Sequence, residues 1–353
     1  MAERVHNLKQ TACPFQVRGI ISGVESDRFY KNGTGKNGGQ WNKINFGVKV
    51  NENKTVYITL NGFPRKEVFY YKKSDVKGQK GTTVRVPWKD RHKSPGEGYR
   101  LIGINLTVGK DENGNNINQT FTEYDAVEWL HDNLKDGESF FIGGNIEFSS
   151  FVGQDGQTQR RVDMVLSQMS GVKNPIDFED AKFEEQCDFD DDFVFSAIEK
   201  EVDENNNPTG RFILSGYSIG YNTVENISFI LNAEHSTLAG NMKKALKPGN
   251  FIKVSGRVDV VGNVDEVTVD NGWGEQSKIK RGNTSFKTEY VVVGADPGSI
   301  DKELYSEDEI AAAIKKVKAS KEAQANFGDK PAVNTNDDAD DWGGVEDDDT
   351  PWG

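Results

Sequence analysis

Apolar residues recur at every second position along most of this chain, and that spacing is what most restricts its fold. In NFGVKVNENKTVYITLNG, Phe46, Val48 and Val50 fall on one face. Val56, Ile58 and Leu60 do the same beyond the Asn51-Glu52-Asn53 turn. A strand sends alternate side chains to opposite faces, so this segment reads as a half-buried β-hairpin. Other strands are expected at 14–25, 40–50, 54–61, 67–72, 82–88, 99–108, 138–149 and 159–168. After an acidic stretch, a second set is expected at 193–202, 211–219, 225–232, 250–260, 264–269 and 288–294.

Helices are few. YDAVEWLHDNL (124–134) and TLAGNMKKAL (237–246) each carry an apolar stripe at helical spacing. A third, within 299–324, opens with a capping box of Ser306 and Glu309, and its thin stripe predicts a surface or linker helix. The first two helices reveal a repeat. At an offset of 112 residues Leu134 meets Leu246, Gly137 meets Gly249, Ile142 meets Val254, Gly144 meets Gly256 and Ile146 meets Val258. Gly137 and Gly249 suit a left-handed helix end, and Gly144 and Gly256 a sharp bend within a strand.

Three strands, a helix, then two strands is the order of an OB-fold, a small five-stranded, partly open barrel. The expected fold class is therefore mostly β: tandem OB-fold-like small barrels with few helices and a disordered acidic C-terminal tail. The first barrel, elaborated by about sixty inserted residues, spans 1–172; an acidic connector spans 173–192; the second barrel spans 193–298; a helix spans 299–324; and the tail spans 325–353. A general β-sandwich is the alternative.

The formal net charge of −13 argues at first against a polyanionic partner, but its distribution reverses that argument. Residues 1–110 hold 21 Lys and Arg against 8 Asp and Glu, a net of +13, which leaves −26 for the remainder. Three stretches of the basic part combine cations with rings. One carries Arg28, Tyr30, Lys31, Lys36, Trp41 and Lys43; the next Arg65, Lys66, Phe69, Tyr71, Lys72 and Lys73; the last Trp88, Lys89, Arg91, Lys93, Tyr99 and Arg100. Cations can follow phosphates while aromatic faces stack on bases of any sequence, so this mixture points to single-stranded nucleic acid. Phe69 and Tyr71 fit either core or surface. Trp41 and Trp88, flanked by Lys on polar turns, are expected at the surface.

No catalytic constellation emerges, and the expectation is a protein that is not an enzyme and needs no cofactor or metal. KNGTGKNGG (31–39) lacks the Gly and the Ser or Thr of a phosphate-binding loop, with Tyr30 and Asn37 in their places. The acids of 178–193 could hold a divalent cation, as in a nuclease, but lack EF-hand spacing and read as a solvated linker. Two distant cysteines, Cys13 and Cys187, make no disulfide framework. No secretory leader or membrane-spanning run is apparent, which leaves the cytoplasm as the expected location.

The chain closes with DDWGGVEDDDTPWG. An acidic run without a basic residue resists packing, yet it carries two tryptophans, Trp342 and Trp352. Asp347, Asp348, Asp349, Pro351 and Trp352 resemble the C-terminal tip of bacterial and phage single-stranded DNA-binding proteins, which is a run of aspartates, a proline and a terminal aromatic. Here Trp stands in place of the usual Phe, and Gly353 follows it. The resemblance is close in the tail and only architectural elsewhere; the large two-barrel chain looks most like a bacteriophage member. It implies a protein that coats and protects single-stranded DNA in replication, recombination and repair, and that recruits other replication proteins through the tip. The alternative is a β-rich phage structural or carbohydrate-binding protein.

Overall fold

The computed structural model describes residues 4–35, 38–152, 158–203, 205–264, 267–270, 276–279 and 284–326. It is mostly β, with one large sheet and few helices. The first half contains β1 (Pro14–Ser22), β2 (Tyr30–Thr34), β3 (Gln40–Asn51), β4 (Lys54–Gly62), β5 (Glu67–Lys72), β6 (Thr82–Pro87), β7 (Arg100–Leu101), β8 (Ile104–Lys110), β9 (Asn116–Phe121), α1 (Glu123–Asn133), β10 (Ser139–Val152) and β11 (Thr158–Gly171). The second contains β12 (Gln186–Val202), β13 (Pro208–Ile219), β14 (Val224–Leu231), α2 (Ser236–Ala245), β15 (Phe251–Val264), β16 (Val267–Asp270), β17 (Gln276–Ile279), β18 (Thr284–Asp301) and α3 (Glu307–Asn326).

Strand pairing in the first half runs in a closed circuit. β1 pairs with β3, β3 with β4, β4 in parallel with β11, β11 with β10, and β10 again with β1. The second half repeats it: β12 with β13, β13 with β14, β14 in parallel with β18, β18 with β15, and β15 with β12. In each half the helix lies in the chain between the third and fourth strands of its circuit. The alternation dictates which side chains turn inward: Ile44, Phe46, Val48, Ile58 and Leu60 are all buried in one core shared by both halves.

The 112-residue repeat has a structural cause. Phe15 on β1 lies across from Gly144 on β10, and Phe189 on β12 lies across from Gly256 on β15. A Cβ at Gly144 would run into the Phe15 ring and the Val165 carbonyl oxygen; one at Gly256 would meet the Phe189 ring and the Val291 carbonyl oxygen. Both glycines sit at a bulge in the pairing with the next strand. Gly137 and Gly249 take left-handed φ values of 85° and 86°, which favour glycine. The halves join where β1 and β12 pair antiparallel, with Phe15 opposite Phe189. Lys54, buried at the start of β4, adds a clamp: its Nζ donates to Glu185 at 2.6 Å and to Asp259 on β15 at 3.1 Å.

Two expectations are corrected. The acidic stretch is not all connector, because β12 begins at Gln186 and turns Cys187, Phe189, Asp191 and Phe193 inward in strict alternation. Asp191 hides that period by placing a carboxylate in the apolar row. Among the described residues its acids gather into no group able to hold a metal ion. Nor is α3 a loose surface helix. Ile310, Ala313 and Val317 pack with Val194, Ile219, Phe251 and Tyr305 into a second core. The capping box forms as expected, with the Glu309 N–H donating to Ser306 Oγ and the Ser306 N–H to Glu309 Oε2. No helix among the described residues is long and apolar enough to cross a membrane.

Burial drives the Asp191 carboxyl up to about 8; a hydrogen bond from Cys13 opposes the rise and the Asp192 charge adds to it. Its Oδ2 has no hydrogen-bond partner. Between about pH 4 and 8 the folded state therefore keeps a proton that the unfolded chain releases, so stability falls as pH rises through that window. Asp191→Asn should flatten this fall, read as a smaller loss of Tm than wild type between about pH 5 and 8. Gly256→Ala should cost about 1–3 kcal/mol in urea unfolding by overpacking against Phe189. Gly240→Ala on α2, where a Cβ meets open space, should instead add up to about 1 kcal/mol.

Candidate nucleic-acid interface

The row of β3 that alternates with its core residues faces outward at Trp41, Lys43, Asn45 and Lys49, while Gly47 in the same row is covered by Ser22 and Thr55. Pairing sets Lys31 of β2 beside Lys43 and Gly33 beside Trp41. On the other side Tyr57 of β4 lies opposite Gly47 and is 65% exposed. Lys31, Trp41, Lys43 and Tyr57 thus share the outer face of three adjacent strands. Burial lowers the Lys43 ammonium from its ordinary range, and the positive charges of Arg161 and Lys31 lower it further against the opposing pull of Asp163. Arg161 holds Asp163 at 2.7 Å on β11. The group is mixed in charge, since Asp163 pairs with Arg161 and lies across from Glu147 of β10.

Trp41 is half-buried rather than exposed. Its indole lies over β2 at Gly33, where a Cβ would stand 3.0 Å from the ring. Tyr30 turns to the opposite face, since it pairs with Ile44, and its ring stacks on His131 at 4.0 Å between centroids. Arg28 is exposed. Lys36, and the tail residues Trp342, Asp347, Asp348, Asp349, Pro351 and Trp352, lie outside the described residues.

The second and third basic stretches fold into an insertion between β4 and α1. Its β5 pairs with β6 and β7 in a small sheet. Val68, Tyr70 and Val86 form that sheet's own core, with Trp88, Tyr99 and Leu101 packed against it. Alternation then sends Phe69 and Tyr71 outward, at 37% and 41% exposure. Arg85 lies over Phe69 at 5.7 Å, Arg100 is paired across from Tyr71, and Lys72 stands 5.9 Å from the Tyr99 ring. Lys66, Lys73, Lys89 and Arg100 reach water and form no ion pair among the described residues.

Other cations of the insertion have partners. Arg91 grips the Asp125 carboxylate of α1 through Nε and Nη2 at 2.9–3.2 Å. That hydrogen bond holds the Asp125 carboxyl below its ordinary value despite burial. The Arg91 guanidinium also covers Trp88 at 4.5 Å, whose ring meets Tyr124 edge-on. Trp88 is therefore half-buried at the joint between insertion and helix, rather than exposed. Arg65 pairs with Glu123 and Lys93 with Asp90, each at 2.8 Å.

The structure thus brings Lys31, Trp41 and Lys43 together on one face and Phe69, Tyr71 and Arg100 on another, and turns Tyr30 and Trp88 to packing. Tyr57, Lys49 and Arg161 were not singled out from the sequence. The alternation of TVYITL could have found Tyr57. Nothing local marks Arg161, which reaches the site through the parallel pairing of β11 with β4.

Residues 14–330 match the YorF family. The chain belongs to that family. Two crystal structures of the single-stranded DNA binding protein from Thermus aquaticus also resemble it. The wild-type structure aligns with a TM-score of 0.36 and 11% identity, covering 82% of this chain and 93% of that one. A deletion mutant aligns with a TM-score of 0.36 and 10% identity, covering 81% and 94%. That resemblance is too distant to assign a fold or a ligand. No curated protein matches the chain.

Because the Arg91–Asp125 pair ties the insertion to α1, Arg91→Ala should loosen the small sheet selectively. Amide hydrogen exchange should quicken in 67–101 while protection in β3, β4 and β10 is kept.

Proposed function

We propose that this protein binds single-stranded DNA with little regard to sequence, coating and protecting it in the cytoplasm during replication and recombination. The observation that carries the reading is the outer row of β2, β3 and β4, where Lys31 and Lys43 lie among Trp41 and Tyr57 on one surface. Cations at that spacing can hold phosphates while rings stack on bases of any kind. Phe69, Tyr71 and Arg100 on the insertion supply the same chemistry on a second surface. No catalytic step is assigned to any of these groups.

We read the two pairing circuits as small barrels of the OB type. Each has the strand order and the helix position that the type requires, and β3 and β4 then hold the second and third places. In OB-folds that face is the one that binds oligonucleotides. The acidic terminal segment is assigned a double part: it recruits replication or recombination proteins, and it competes with DNA for the basic surface.

Titration with dT oligomers tests the reading. If about six phosphates are held, affinity should fall roughly 10²- to 10³-fold between about 50 and 200 mM salt, at a slope near −0.7 per phosphate. Tyr57→Ala should weaken binding by one stacking increment, about 1–3 kcal/mol, with the slope unchanged. A flat salt response would point to another ligand. Removing 335–353 should raise affinity, most at low salt; unchanged or weaker binding would refute competition by the tail.

A further inference from the structure

A cleft of about 890 Å³ opens on the insertion where β7 passes β9, away from the face built on β3 and β4. Its size falls within the range of about 300–1,000 Å³ usual for small-ligand sites. Gly103 sets the seam at its base: a Cβ there would strike the Phe121 carbonyl oxygen, so no other residue lets the two segments pass so closely. None of the side chains lining it is acidic. Arg100 stands at the rim, exposed, and makes no ion pair among the described residues. Ile102 offers an apolar ledge that is 57% exposed. The cleft's amide side chains are Asn105 and Asn118, which share one face of β8 and β9 because Asn105 pairs with Thr120 and Thr107 with Asn118; Gln119 alternates to the other face. Asn118 accepts the Thr107 hydroxyl at 2.7 Å with its carbonyl oxygen, which leaves its NH₂ as a donor.

This set is not that of a phosphate track. A groove that only follows phosphates needs lysines and arginines, whereas side-chain amides carry both a donor and an acceptor and match the edge of a nucleobase. An apolar ledge suits the flat face of the same ring. Arg91 and His92 also line the cleft but face Asp125, which leaves Arg100 to suit the phosphate attached to the ring. We propose that this cleft is a nucleotide pocket that takes one base splayed out of the bound strand. Arg100 meets its phosphate, Ile102 its face, and Asn118 with Asn105 its edge. The inference rests on the single-stranded DNA reading above and adds to it a local base preference.

The experiment uses the full chain with dT oligomers carrying 4-thiothymidine, irradiated and mapped by mass spectrometry after proteolysis. Crosslinks are expected in the segment 99–121. Alongside it, Arg100→Ala should lower the salt slope by about 0.7, the share of one single-strand phosphate. Asn118→Ala, an exposed position, should narrow the difference in affinity between dT and dA oligomers by about three-fold or more without changing the slope. Crosslinks confined to 30–61, with the dT-to-dA ratio of Asn118→Ala equal to wild type, would overturn the pocket and leave the main reading standing. Absence of any crosslink or salt-dependent binding would overturn both.

Discussion

Two phenylalanine rings need room that only a missing side chain can give, and both halves of this protein are built round that need. Phe15 and Phe189 each lie against a glycine one strand away, and each glycine marks a bulge where its strand must bend. The two residues are also paired across β1 and β12, so the joint between the halves is made of the same residues that shape each half. Core packing at close to crystal density leaves no alternative place for a ring of that size. The Lys54 clamp and the shared apolar core hold the joint from either side. Asp191, a carboxyl inside the same seam, makes that joint sensitive to pH.

The insertion changes what the first circuit can offer a ligand. It carries its own small core, and its connection to the rest runs through α1: Arg91 with Asp125, Arg65 with Glu123, and Trp88 with Tyr124. Those contacts remove several cations and one tryptophan from the pool that could meet a ligand. What remains outward is Phe69 and Tyr71, with Arg100 between them and the amide-bearing cleft. The surface on β3 and β4 is the plainer of the two, a short row of cations and rings held flat by strand pairing.

Much of this was legible before any coordinates. Period-two alternation located most strands, and it separated Val68 and Tyr70 from Phe69 and Tyr71 even though it could not say which pair faced the core. The glycine repeat marked the equivalence of the halves because backbone geometry leaves few residues able to serve at a bulge or a left-handed turn. The pattern failed where one residue broke it: Asp191 disguised the start of β12, 186–192, as connector. It failed again at α3, where a narrow stripe of Ile310, Ala313 and Val317 proved enough because the surface it meets is already apolar.

Local order, then, came from the sequence itself: strand positions, the repeat, the basic and aromatic bias of the first 110 residues, and the capping box of α3 follow from spacing and residue type alone. The grouping of side chains into sites came from tertiary structure. Arg161 joins Lys31 and Lys43 only because β11 returns in parallel to β4, about a hundred residues along the chain. Likewise Trp88 and Arg91 look like surface residues until Asp125 and Tyr124 are brought against them. Periodicity reports which face of a strand a residue occupies; it carries no information about what another segment will place opposite that face.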